Sequence, residues 1–464
     1  MSSSAAIPAC HNSTMRPCRA ACAFALAAAV LAVATLPLVA AVRPPKLNYE
    51  LAALPNGLTV VLLEDHSTPI VHVQLWYHVG SKDERPGRTG FAHLFEHLMF
   101  NGSKNVPAGD HLSLISGVGG LTNAYTNDDV TVFWSTVPSQ HLPLALWLEA
   151  DRMASLKIDK ASFERERQVV KEERRLRIDN QPYGTLAELI YRHTFTVHPY
   201  RHTTIGSMAD LDAASVEDVR DFYRTYYVPA NATVAIVGDF DPKQAMALVS
   251  QYLGAVPRAD RAVPRDLPRE PEQLGERRVE LTENWPLPVV VVAYHVPFDG
   301  HPDAYALQVA SKILSDGQSS RIYRSLVYEK QIAFAAYGGG NIIEDPNLFF
   351  AVAVVQAGRS PDEVERALLE ELDRLRNEPI AERELQRVKN QLARDFILGR
   401  ESNQRKAALL AHAVVIHKGD ASSADAEFDT FMGITAADVQ RVARAYFRPQ
   451  NRTILTILPA QAKQ

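Results

Sequence analysis

The sequence predicts an α+β chain of two similar repeated domains, each a largely antiparallel sheet backed by helices. Three observations carry that expectation. First, SVEDVRDFYRTYYVPANATVAIV (Ser215–Val237) returns without a gap as TAADVQRVARAYFRPQNRTILTI (Thr435–Ile457), and each copy reads as helix, Pro-Asn turn and strand. Second, β-prone runs open each half: LTVVLLED (Leu58–Asp65) and IVHVQLWYHV (Ile70–Val79), then PVVVVAYHV (Pro288–Val296). Long helical patterns such as Pro361–Arg376 follow them. Third, Val256–Arg278 is rich in proline and charge and has no apolar period, as a linker should be.

Taken in order, residues 1–41 read as a secretory signal peptide. Arg16 and Arg19 precede an uncharged Ala/Leu/Val run from Ala20 to Ala41, which ends in the small residues Val39-Ala40-Ala41. The competing reading is an uncleaved anchor, since the run is about long enough to span a bilayer, and Met15 offers a second start. All three cysteines (Cys10, Cys18 and Cys22) lie in this leader, so the mature chain would have no thiol or disulfide chemistry. The expected location is periplasmic or secreted, with no stable membrane span after cleavage. A first domain then covers 42–257, a linker 258–278 and a second domain 279–464. A formal charge of −5 without a basic run excludes an electrostatic footprint for nucleic acid.

The stretch GFAHLFEHLMF (Gly90–Phe100) carries the chemistry. At 100° per residue, Phe91, Leu94, Phe95, Leu98 and Met99 share one helix face, His93, Glu96 and His97 fall opposite, and Asn101-Gly102 supplies a stop. Histidines at i and i+4 project in parallel, so both can reach one metal ion, while Glu96 is placed to take a proton from water. A catalytic zinc site needs a third donor. On SFERERQVVKEERRLRI (Ser162–Ile178), Phe163, Val169, Val170 and Leu176 share a face that also holds Glu166 and Glu173, whereas Glu172 lies off it. Carboxylates on an apolar stripe need a cation or hydrogen-bond partners.

With these segments, and with LPNGLTVVLLEDHSTPIVHVQLWYHVGSKDE (Leu54–Glu84), GGLTNAYTNDDVTVFWSTVP (Gly119–Pro138) and HPYRHTTIGSM (His198–Met208), the chain resembles the insulinase/pitrilysin family. These are the inverted zincins of H-x-x-E-H type, which include mitochondrial processing peptidases. The resemblance implies a zinc endopeptidase with one Zn²⁺ per chain, held by His93, His97 and Glu173. Glu96 is then the general base and Glu166 the auxiliary acid. It further implies that Asn123 lies on an edge strand that extends a peptide substrate, and that Arg321 and Tyr328 of the second half contact that substrate. Long family members carry four such domains, so the resemblance implies that this chain pairs as a homodimer or heterodimer clamshell, with Arg321 and Tyr328 acting in their own or the partner's site. Tyr337–Gly340 reads as a hinge or a strand-end turn. The competing functions are a non-catalytic partner or scaffold subunit, and a protein that captures metal or peptide without turnover.

Overall fold

The computed structural model describes residues 43–460; the expected signal segment and its cysteines lie outside them. Pro44–Gln464 gathers into one compact unit. No helix among the described residues is long and apolar enough to cross a membrane.

The first half builds a six-stranded sheet from β1 (Glu50–Ala53), β2 (Thr59–Glu64), β3 (Ile70–Tyr77), β4 (Leu121–Thr126), β5 (Thr131–Pro138) and β6 (Ala232–Gly238), in the order β1-β2-β6-β3-β5-β4. The second half builds β7 (Arg277–Glu283), β8 (Val289–Val296), β9 (Ala333–Gly340), β10 (Asn347–Val355) and β11 (Arg452–Pro459), in the order β7-β11-β8-β10-β9. Apart from β1 the two orders are the same. In each the repeated strand, β6 or β11, is inserted parallel to the first strand and antiparallel to the next. The sheets are thus mixed α+β layers with one parallel pair apiece.

The sequence repeat has a structural cause. Ser215 and Thr435 each cap a helix in a reciprocal bond pattern with Asp218 or Asp438, which satisfies free N–H groups of the first turn. Asn231 and Asn451, in the following turns, each donate to two carbonyls: His78 O and Tyr226 O in one half, His295 O and Tyr446 O in the other. The inner face of each sheet packs on its own helices. Leu75, Phe133 and Val234 meet Phe95 and Leu146 in the first half; Val292, Phe349 and Ile454 meet Leu307 and Leu368 in the second.

The outer faces are covered by exchange. Val61, Val132 and Val237 of the first sheet pack against Ala407, Leu410 and Val414 on the helix Asn403–Ile416 of the second half. Val291, Val352 and Leu455 of the second sheet pack against Leu186, Leu189 and Ile190 on the helix Leu186–Thr194 of the first. The linker is pinned rather than loose. Glu270 accepts from the backbone N–H groups of Thr196, Val197 and His198, and Arg265 donates to His78 O. Tyr337–Gly340 forms the end of β9 in register with β10, so it is strand.

Candidate metal centre

The helix Phe91–Leu98 buries Phe91, Ala92, Leu94, Phe95 and Leu98, with Met99 buried just beyond, and leaves His93, Glu96 and His97 half-buried on the other face. Its start is fixed by Gly90 at φ +90°, where an added Cβ would lie 2.7 Å from Ile205 O. Glu84 accepts from the N–H groups of Gly90 and Ala92 at 2.9 and 2.8 Å, so a carboxylate caps the positive helix end. Gly102, at φ +98°, turns the chain away after the helix, as Asn101-Gly102 led us to expect.

The second element is the helix Lys160–Arg174, continued by a wider π turn over Arg175–Asp179. Phe163 and Val170 are buried, as the period predicts, but Val169 and Leu176 are exposed. The extra residue per turn beyond Arg174 shifts the phase and carries Leu176 outward. Arg174 takes a buried position instead, because its guanidinium donates to Glu188 and to Gly206 O.

The two helices bring His93, His97 and Glu173 into one cluster, with a donor atom from each within 4.8 Å of the others. Glu173 Oε2 lies 3.6 Å from His93 Nε2 and 3.3 Å from His97 Nε2. Ligands bonded at about 2.0–2.1 Å in a tetrahedron lie about 3.3–3.4 Å apart, so this set fits a zinc-sized ion. Arg177 holds the other oxygen, Oε1, at 2.6 Å, which leaves Oε2 facing the imidazoles. Burial, then the neighbouring His97, holds His93 down at about 4, so it is a neutral donor at pH 7. Its Nδ1 is buried with no hydrogen-bond partner.

Glu166 lies behind His97: its Oε2 is 3.6 Å from Nδ1, the nitrogen turned away from Glu173, while Arg165 holds its other oxygen. Burial works against a charge on His97, yet Glu166 and then Glu173 and Glu96 raise its pKa above the ordinary value. Glu96 lies on the same half-buried helix face as the two histidines. Its Oε2 accepts from Thr126 Oγ1 at 2.6 Å, and burial raises its pKa despite that bond. Thr126 escaped sequence reasoning because nothing in the pattern pairs it with Glu96, 30 positions away, whereas Arg177, four residues after Glu173, has the i, i+4 spacing that could have found it.

Asn123 lies on β4, the outermost strand of the first sheet, three residues before Thr126. Its side-chain oxygen accepts from Ala124 N–H. Arg321 is engaged in a two-pronged pair with Glu384, at 2.9 and 2.6 Å, and Tyr328 is 75% exposed. Neither has an ion pair or hydrogen bond to the histidine cluster among the described residues.

A paired-histidine and glutamate cluster with a further glutamate on the same helix face, on a duplicated α+β frame, is the arrangement of a metallopeptidase class. The comparisons with known proteins make this specific. Residues 59–207 match the family "Insulinase (Peptidase family M16)" and residues 213–392 match "Peptidase M16 inactive domain". The chain is 32% identical over 415 residues to zinc protease PqqE of Helicobacter pylori, covering 89% of this chain and 93% of that protein. A solved protease from Helicobacter pylori superposes with a TM-score of 0.85 at 32% identity, covering 89% of this chain and all of that one. The periplasmic protease PqqL of Escherichia coli shares the fold, with a TM-score of 0.72 at 19% identity, but this chain spans only 48% of it. The chain belongs to the insulinase family of peptidases, M16.

Proposed function

We propose that the protein is a zinc-dependent endopeptidase that hydrolyses peptides or unfolded segments in the periplasm or outside the cell. The carrying observation is the approach of Glu173 Oε2 to both histidine Nε2 atoms at tetrahedral spacing, with Glu96 beside them. His93, His97 and Glu173 would hold one zinc ion at this centre. When bound, it supplies a Lewis acid that acidifies water and polarises the scissile carbonyl.

Glu96 receives the proton of the attacking water and returns it to the leaving amine; its half-buried position and raised pKa suit that exchange. Glu166 orients His97 from behind, as carboxylates commonly do for ligating histidines. An extended peptide adds to the open edge of β4 past Asn123. Because Thr126 at the far end of that strand binds Glu96, the strand leads the peptide to the base.

The M16 relative twice this length supports a dimer in which two copies, or this chain and a different partner, close as a clamshell. In that arrangement Tyr328 contacts substrate, and Arg321 does so after leaving Glu384. Mixing a Glu96→Gln chain with an Arg321→Ala/Tyr328→Phe chain restores activity if those residues act across the dimer. Light scattering gives the mass.

The reading is tested by metal analysis of purified protein with mass spectrometry of a peptide mixture before and after chelation. Zinc-dependent product formation is expected. Zinc uptake without product would make the protein a non-catalytic partner subunit or a peptide-capturing protein. Faster cleavage of short or unfolded peptides than of large folded substrates checks that the closed clamshell excludes bulky substrates.

A further inference from the structure

The exchanged helix Asn403–Ile416 ends in a second cluster of metal-binding groups. His412 lies on its last turns, His417 follows its end, and Asp299 comes from the turn after β8. Asp299 Oδ2 is 3.4 Å from His412 Nε2 and 3.4 Å from His417 Nε2. Both separations equal the edge of a tetrahedron with bonds of about 2.0–2.1 Å, a closer match than the 3.3 and 3.6 Å at His97 and His93.

The hydrogen bonds around His417 show that its Nδ1 carries a proton. Ser423 Oγ donates its proton to Asp420 O at 2.8 Å, so it must accept from His417 Nδ1, 2.7 Å away. With a proton on Nδ1, the ring's Nε2 faces the Asp299 carboxylate. A buried carboxylate there needs a cation opposite it, either a proton on Nε2 or a metal ion shared with Asp299. A protonated Nε2 would instead close to ordinary hydrogen-bond distance, yet this atom is buried and makes no hydrogen bond. Among the described residues the ion pairs of Asp299 are to these two histidines, and no lysine or arginine neutralises it. The Ser423 contact is the kind of outer bond that fixes the tautomer of a ligating histidine. His412, with a side chain 45% exposed, leaves a path for an ion and a position for water.

We propose that Asp299, His412 and His417 form a second site for zinc or a similar divalent transition ion, distinct from the His93/His97/Glu173 centre. Its role is structural. The ion ties the end of the exchanged helix, whose Ala407, Leu410 and Val414 cover the first sheet, to the β8 turn of the second half. A site that binds only the folded chain stabilises it by mass action.

The experiment is Zn²⁺ titration of chelator-stripped full-length protein by calorimetry, with metal analysis after gel filtration and thermal unfolding with and without Zn²⁺. The unmodified protein should take up two ions per chain. A His93→Ala/His97→Ala variant should keep one ion and a zinc-dependent rise in Tm. Asp299→Asn should lose that second ion, and Ser423→Ala should bind it about 10–100-fold more weakly. No zinc bound by folded His93→Ala/His97→Ala protein overturns the proposal, as does an Asp299→Asn variant that folds and still binds two. Because the readout is stoichiometry and Tm, the site stands or falls independently of whether peptides are cleaved.

Discussion

The two halves share a sheet order, a capped helix and a carbonyl-bridging asparagine, yet differ at the helix that follows the second common strand, β3 or β8. In the first half that helix has eight residues and turns His93, Glu96 and His97 outward. In the second, Pro302–Ser315 buries Ala304, Ala306, Leu307, Val309, Ala310, Ile313 and Leu314 and offers no histidine or glutamate. The frame is therefore set by sheet patterning and caps, whereas the chemistry rests on a few outward positions that the frame does not need.

The sharpest way to break this contrast is Glu96→Gln. Removing a positioned general base should lower kcat/KM for peptide cleavage by about 10²–10⁴-fold while zinc content stays that of the unmodified protein. A control change on the second-half helix, at the half-buried Gln308 (Gln308→Ala), should leave cleavage unchanged. Activity surviving the first substitution would place the base elsewhere.

The halves are also joined by charge. Lys82, only 4% exposed, reaches Asp129 at 2.9 Å in its own half and Glu344 and Asp345 at 2.6 and 2.9 Å in the other. After the cost of burying it, these three carboxylates raise its pKa. Lys82→Ala leaves the acids facing one another and should cost about 3–5 kcal/mol, read by urea unfolding. A smaller test probes the repeat itself. Asn231→Ala and Asn451→Ala each strand two carbonyls, so each should cost about 1–3 kcal/mol. Unequal losses would mean that the shared geometry is not shared energetics.

How much of this was legible depended on distance along the chain. The histidine helix could be read face by face, because Phe91 to Met99 follows one unbroken 3.6-residue period. Glu173 could be singled out from Glu172 for the same reason. The period failed at Leu176, where a π turn replaces regular helix, and at Val169, which is exposed although it lies within the regular helix Lys160–Arg174. The repeat revealed two sheets but not that their outer helices are exchanged, since Ala407 or Leu189 looks the same whichever sheet it covers. Asp299 and His412 are separated by several elements, and no motif joins them.

The smallest predicted effect concerns the exchange. Asp65, at the end of β2, accepts a charged hydrogen bond from Lys406 on the helix Asn403–Ile416. That bond, reinforced by Ser67, lowers its pKa from 3.8 to about 2. A carboxylate depressed in the folded state binds its proton more readily when unfolded. Its contribution is therefore complete above about pH 4 and disappears as pH falls through about 2. Both side chains are mostly covered, Lys406 at 16% and Asp65 at 18% exposure, yet solvent still reaches the pair, so its worth is on the order of 1 kcal/mol. Lys406→Met keeps the apolar stem and removes only the charge. Its urea midpoint should lie slightly below that of the unmodified protein at pH 6, and the two curves should converge by about pH 2. A gap that persists in acid would show that Lys406 holds the crossing helix by packing rather than by its charge on Asp65.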